Sequence, residues 1–388
     1  MHVRRLGVML PASLLLVAGC SSAAVVKPAS PGQDSGEGIQ ISTSHCGQGW
    51  TDPHAGPQDL RFTNTDTVSA EAYVVDVPRG AVYGEMEGLA PGVTRSLPIT
   101  LGSGTYAIKC AVEDNDPIVG PSVHITGSSP GGPALVPVNY NDLYGPAREY
   151  QKYVAGGLKT LVAKTATLAA DVDRGDLKAA KKSWLPAHLA YERLGAAYGT
   201  FGDFDGAIDG RPAGLPGGVH DPDFTGFHRV EYGLWHGESA KSVRSAADRL
   251  LKDVKALKAD FPNEDLPPED LPLRAHEILE NTLQFELTGK SDEGSGTSLA
   301  TAEANLEGTR HTLDVLRALL KPRYAALPQT DVQLDRVQSL LDAQNHGGTW
   351  TPLQDLSGTD RESIDGAVGD LLERLAPIAT TLFPRGSQ

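Results

Sequence analysis

The hydrophobic period changes once along this chain, and that change dictates two kinds of architecture in one polypeptide. Between about Ile39 and Thr126, short alternating or apolar runs recur: Arg61-Phe62-Thr63, Glu71-Ala72-Tyr73-Val74-Val75, Thr105-Tyr106-Ala107-Ile108-Lys109 and Ser122-Val123-His124-Ile125. Ala90-Pro91-Gly92 and Gly102-Ser103-Gly104 punctuate them. Period-two runs between turn signals predict a small antiparallel β-sandwich over residues 39–127. Gly and Pro then break the pattern at 127–133, so residues 128–138 read as a linker. From 139 to 385 the period is helical, as in Leu158, Leu161, Val162, Leu168 and Val172. After that first helix, others are expected over 176–198, 225–234, 242–259, 273–287, 298–320, 330–344 and 361–382. Seven or eight such segments predict an all-α bundle. The expected fold is therefore multidomain, a small all-β sandwich followed by helices.

The N-terminus carries an export signal. Arg4 and Arg5 precede an apolar run from Val8 to Val17. The run is about half the roughly twenty residues needed to cross a bilayer. It ends in Val17-Ala18-Gly19-Cys20, small residues before a cysteine, like a bacterial lipobox. Residues 1–19 would be cleaved and Cys20 lipidated, with 20–38 as a flexible Ser/Gly/Pro/Ala tether. The plainer reading is an ordinary secretory signal peptide. Either reading is extracytoplasmic, and the first anchors the chain to the outer face of the cell membrane. Export places the remaining cysteines, Cys46 and Cys110, in an oxidising compartment. A disulfide between them would contribute about 4 kcal/mol by loop closure. The alternative is Cys110 as a soft metal ligand. The formal charge of −15 repels phosphate backbones and argues against nucleic acid as a partner.

The densest chemistry lies between Trp184 and Gly237. Asp221-Pro222 or Thr225 can start a helix that runs through Phe227-His228-Arg229-Val230-Glu231. His228 and Glu231 are three apart and share a face. Phe224, Phe227, Val230, Leu234 and Trp235 lie on the same side, so the pair faces the bundle interior. A buried carboxylate without a partner is costly, and a cation beside the imidazole resolves that cost. The bland alternative is a His–Glu hydrogen bond, or an ion pair with Arg193. Glu192, Asp203 and Asp205 supply further hard oxygen donors, and His188 is four residues before Glu192 on one helix face. His276 and Glu280 form another spaced pair, read as a structural polar pair between helices, with a second cation site as the alternative.

These residues resemble a known family. Tyr191-Glu192-Arg193, Phe201-Gly202-Asp203-Phe204-Asp205, Ile208-Asp209-Gly210-Arg211 and Thr225-Gly226-Phe227-His228-Arg229-Val230-Glu231 look like the imelysin domain with its H-x-x-E motif. The chain more closely resembles the EfeO family of iron-uptake components, in which a cupredoxin-like domain precedes the imelysin domain. Cys46, the run Glu85 to Gly92, and Tyr106 to Cys110 resemble the cupredoxin-like portion. The resemblance implies iron, as Fe2+ or Fe3+, held by His228, Glu231, Glu192 and an acidic residue of the 202–205 turn, with Asp205 preferred over Asp203. By ligand type alone, Zn or Cu would also suit. It also implies an iron permease of the EfeU type and a dye-decolourising-type haem peroxidase of the EfeB type as partners. A monomer is expected. Two departures affect the ligand set. Gly195 stands where many relatives carry a carboxylate, and residues 212–220 lengthen the loop before the motif; His188 or His220 could compensate. In the N-terminal domain, Glu85, Met86 and Glu87 are a candidate second metal site, against the alternative of a solvated acidic loop. Cys110 has no histidine close behind it, so no blue-copper centre is read.

Two further functions compete. Imelysins were first classed with peptidases, but the chain has neither H-E-x-x-H nor H-x-x-E-H: Glu277 follows His276 with no second histidine, and Tyr232 follows Glu231. A haem-handling or adhesive surface protein is the third, and no C-x-x-C-H is present. The expected function is a non-enzymatic, lipid-anchored iron-binding component that passes its ion to a permease.

Overall fold

The computed structural model describes residues 38–384. Residues 1–37, with the signal, Cys20 and most of the tether, lie outside the described residues.

Eight strands form first: β1 (Ile39–Ile41), β2 (Gly56–Asn64), β3 (Ala70–Asp76), β4 (Ala81–Leu89), β5 (Thr94–Leu101), β6 (Gly104–Val112), β7 (Ile118–Val119) and β8 (Val123–Ile125). One sheet has the order β1-β2-β5. The other has β4-β3-β6-β7, with β8 also on β6. Their inner faces share one core, in which Ile41, Phe62 and Leu101 meet Val74, Met86 and Ile108. The sandwich is mixed rather than wholly antiparallel, because β1 runs parallel to β2 with Ile39 opposite Phe62. A parallel pair needs a long crossover, and the 42–55 segment supplies it. Cys46, on that crossover, is disulfide-bonded to Cys110 of β6, which ties the crossover to the centre of the second sheet.

Residues 128–138 run along the sandwich. Gly132 N–H donates to the Thr100 carbonyl at 2.9 Å, and Leu135 pairs with Val82. Further on, the Arg323 guanidinium donates to the carbonyls of Val136 and Pro137.

The helical part opens with α1 (Tyr140–Asp173), started by an Asn139–Asp142 capping box. Then come α2 (Leu177–Glu192), α3 (Tyr198–Phe201), α4 (Asp203–Asp209), α5 (Gly226–Trp235), α6 (Ala240–Asp260), α7 (Asp270–Asn281), α8 (Ser298–Leu320), α9 (Leu327–Asp342) and α10 (Gly358–Thr381). Two differences from the sequence expectation matter for the site. The helix expected as far as Tyr198 stops at Glu192, where glycines at 195 and 199 weaken helix propensity. The supposed turn at 202–205 is instead a helix boundary. Gly202, at φ 55° and ψ −131°, breaks the chain, and α4 then carries the acidic residues. After α7 the chain continues through a π-helical turn, Thr282–Glu286. Among the described residues, no helix is long and apolar enough to cross a membrane.

Candidate metal centre

Three helices and the π turn bring the site together. Trp184 on α2 donates its indole N–H to the Phe227 carbonyl on α5 at 3.0 Å, locking those helices side by side. Thr225 takes an extended N-cap conformation. Its hydroxyl does not cap the helix but donates to the Ala207 carbonyl of α4 at 2.9 Å. Gly226 then allows the close approach: it has φ 86°, and a Cβ there would lie 2.2 Å from the Ile208 carbonyl oxygen. The start of α5 is thus pressed onto the end of α4, and His228 is delivered to Asp209.

At the junction His188 Nε2 lies 3.0 Å from Glu192 Oε1 and 3.2 Å from Asp209 Oδ1. His228 Nε2 lies 3.7 Å from the same Asp209 oxygen. Ligand atoms of His188, Asp209 and His228 all fall within 4.8 Å of one another. Both imidazoles are buried, at 2% and 3% exposure. On the other side of the His228 ring, Nδ1 faces Glu231 Oε2 at 3.4 Å, and Glu231 Oε1 accepts from the Ser295 backbone N–H at 3.0 Å. Glu231 therefore meets the ring nitrogen of His228 opposite the one nearest Asp209, and is itself braced by the Ser295 backbone.

The electrostatics are those of a crowded, buried set. Burial alone would push the imidazoles toward neutrality. For His188, Glu192 and Asp209 reverse this and raise its pKa to about 10. For His228, Asp209 and then Glu231 raise it well above the usual value. Asp209 is held well below the usual carboxylate range, the two histidines outweighing burial. Burial and Asp209 push Glu192 up despite His188. In the protein alone, protons on two imidazoles balance the carboxylates. A cation placed between the rings would replace those protons, the usual exchange on metal binding.

A cavity of about 360 Å³ opens beside this cluster, lined in part by Glu192, Asp205, Asp209, His228 and Glu286. Asp205, the preferred acidic ligand from sequence, lines the cavity but points its Oδ1 at the Tyr191 hydroxyl, 2.5 Å away. The carboxylate that meets the histidines is Asp209, one helical turn on. Asp203, the reserve, is exposed in the first turn of α4 and is not a cavity residue. His220 is exposed on the 218–220 turn, whereas His188 is in the cluster. Sequence reasoning singled out neither Asp209 nor Glu286 as a ligand. Glu286 sits on the π turn and accepts from the Ser291 hydroxyl at 2.6 Å.

The grouping of Glu85, Met86 and Glu87 is corrected. These residues lie on strand β4, not on a loop. Successive strand residues face opposite ways, so Met86 enters the sandwich core at 5% exposure while Glu85 and Glu87 occupy the outer face. The three cannot converge on one ion.

Two buried acids give a pH signature. Burial and then Glu192 raise Glu286 to about 7. Burial, opposed by Tyr191 and reinforced by Asp209, raises Asp205 to about 6. Each acid holds its proton more tightly folded than unfolded. Its stabilising contribution is complete below the unfolded pKa and lost as pH climbs through the folded one. With metal removed by a chelator, urea unfolding should therefore show stability falling between about pH 4 and 7 from these groups. Glu286→Gln should flatten that slope and add on the order of 2 kcal/mol at pH 8. An unchanged slope would contradict the assignment.

Comparison with known proteins fits this geometry. The imelysin family model (Peptidase M75) matches residues 146–378, which include every helix that lines the site. The chain belongs to the imelysin family. Within the family it groups with the EfeO-type proteins. It is 30% identical over 302 residues to "Iron uptake system component EfeO" of Yersinia pseudotuberculosis serotype I, covering 78% of this chain and 79% of that protein. It is 28% identical over 305 residues to the protein of the same name in Escherichia coli O157:H7, covering 78% and 80%. "Iron uptake system component EfeM" of Pseudomonas syringae pv. syringae is 30% identical over 239 residues, covering 61% of this chain and 84% of that protein.

Proposed function

We propose that the chain is an extracytoplasmic iron-binding component of an Efe-type uptake system. It holds Fe2+ or Fe3+ reversibly and hands it to a membrane permease. The observation that carries the reading is the convergence of His188, Asp209 and His228 within 4.8 Å, both imidazoles buried and Asp209 and His228 lining a cavity. Two imidazoles with carboxylates suit iron, and equally Zn or Cu, by ligand type. Reversible capture needs such exchangeable donors rather than a closed thiolate cage. In this reading Asp209, the two histidines and Glu192 hold the ion, Glu231 positions His228, and Asp205 and Glu286 face the ion from across the cavity. The choice of iron, and a permease and haem peroxidase as partners, follows the names of the relatives. The sandwich is proposed as cupredoxin-like, and Cys20 as the lipid-anchored residue. The reading is non-enzymatic, since the chain lacks the H-E-x-x-H pairing that gives a zincin its ligands and general base.

Metal analysis of the purified chain tests it. The native protein should carry bound metal that a chelator removes and added iron restores. His188→Ala and His228→Ala should each abolish that restoration while the circular dichroism stays helical. Wild-type metal content in both variants, or a peptidase activity that disappears in Glu231→Ala, would defeat the proposal.

A further inference from the structure

The cavity beside the ion cluster also carries two guanidinium groups, Arg211 and Arg274, of which only Arg274 has a carboxylate partner among the described residues, Glu277 on the same cavity wall. Arg211 follows α4 directly and lies flat on the Phe285 ring of the π turn, its central carbon 3.4 Å from the ring centroid. Among the described residues it makes no carboxylate contact, so the N–H donors of its fork remain available toward the cavity it lines. Arg274, on α7, lines the same cavity. It is paired with Glu277, yet its Nε is buried without an acceptor. Gly199 makes room for it, because a Cβ there would fall 2.5 Å from an Arg274 terminal nitrogen. A buried donor without a partner is costly. Arg274 is neutralised by Glu277, but the Arg211 charge beside a bound cation would weaken its binding unless a negative group lies between them.

We propose that the cavity takes its metal together with a small carboxylate. One carboxylate oxygen reaches the ion, and the planar Arg211 fork, assisted by Arg274 Nε, grips the other end. This rests on the iron-binding reading above and names the form of its cargo, a metal–carboxylate pair instead of a bare ion. Arginine suits the role because its rigid fork matches a carboxylate with two parallel hydrogen bonds, and stacking on Phe285 holds that fork in place beforehand. The oxyanion satisfies the orphaned donor and screens the Arg211 charge from the metal. It also completes a coordination sphere that two histidines, Asp209 and Glu192 leave open toward the cavity.

The test is equilibrium dialysis of the full chain with radiolabelled oxalate, with and without ferric ion. Oxalate and iron are added separately in one arm and as preformed ferric oxalate in the other. Separate addition succeeding means that the site assembles the pair from a free anion. Success of the preformed complex alone means that it captures a chelate; both support the inference. Oxalate should be retained only when metal is present. Arg211→Gln should lower the oxalate retained per bound metal by about tenfold or more. Arg211→Lys, which keeps the charge and loses the fork, should fall between and covers the case in which the glutamine variant does not fold. Metal bound without oxalate overturns this inference and leaves the iron-binding reading standing. Oxalate bound equally without metal, or equally by all variants, also overturns it. Neither metal nor oxalate bound overturns both.

Discussion

Asp209→Ala is expected to lower metal affinity more than any other single carboxylate change. One oxygen of Asp209 lies 3.2 Å from His188 and 3.7 Å from His228, so among the described carboxylates this side chain contacts both rings. Glu192 contacts only His188 among the histidines, and Glu231 only His228. Loss of a supporting carboxylate at a metal site costs 10–100-fold in affinity, and removal of a shared ligand should exceed about 100-fold. The metal-free protein should also suffer, because two buried imidazoles would lose their common counter-charge. Breaking a buried pair costs about 3–5 kcal/mol, and deprotonation of the rings at neutral pH should hold the effect near the lower figure. Asp209→Asn separates the two consequences. It keeps the shape and an acceptor oxygen, so it should retain more stability while binding metal almost as poorly. Calorimetric titration with iron or zinc reads the first effect, and urea unfolding in chelator reads the second. Binding in Asp209→Ala within about threefold of the native protein would remove Asp209 from the ligand set.

Much of the site was legible because its histidine half is written in helical spacing. His228 shares a face with Phe227, Val230 and Leu234, and the structure buries all four. His188 and Glu192 are four apart on a helix, and their side chains meet. The acidic half was obscured by one wrong local reading. Taking 202–205 as a turn ended the search at Asp205. Recognising that Gly202 and Gly210 bracket a short helix would have extended it one turn, since Asp205 and Asp209 are four apart. Glu286 also left a trace. It follows Thr282 by four and Leu279 by seven, so it falls on the buried stripe of its helix, where an unpartnered acid is anomalous. Which nitrogen of His228 faces Glu231 is different in kind. It depends on how α4 and α5 are docked, a long-range fact that spacing within one helix does not contain.

The change of hydrophobic period marked the division of architecture correctly, and most helices begin within a few residues of their expected positions. The parallel pairing of β1 with β2 was not legible, because a three-residue strand carries almost no periodic signal and its partner is chosen by the core it completes. Met86 shows the opposite case. Its alternation with Glu85 and Glu87 is plain strand periodicity, and reading those three as a ligand group ignored it.

Gly226→Ala should couple the fold to the site more directly than any change to a ligand. Its backbone is in the left-handed region at φ 86°, where a side chain costs about 1–2 kcal/mol. The new methyl carbon would meet the Ile208 carbonyl oxygen at 2.2 Å and its carbon at 2.4 Å. Both are backbone atoms, so no rotamer change relieves the clash, and overpacking of this sort adds about 1–3 kcal/mol. Together the two should destabilise the helical part by about 3 kcal/mol or more. The only relief is to lift the start of α5 from the end of α4, which draws His228 away from Asp209. Stability and metal affinity should then fall together, although no ligand has been touched. Gly237→Ala is the matched control. That glycine has φ 69°, but a Cβ there meets nothing within 4 Å. It should lose about 1 kcal/mol and keep native affinity. Thermal unfolding and zinc titration of the two variants side by side would decide the matter. A Gly226→Ala protein with native affinity would show that the α4–α5 contact does not set the geometry of the site.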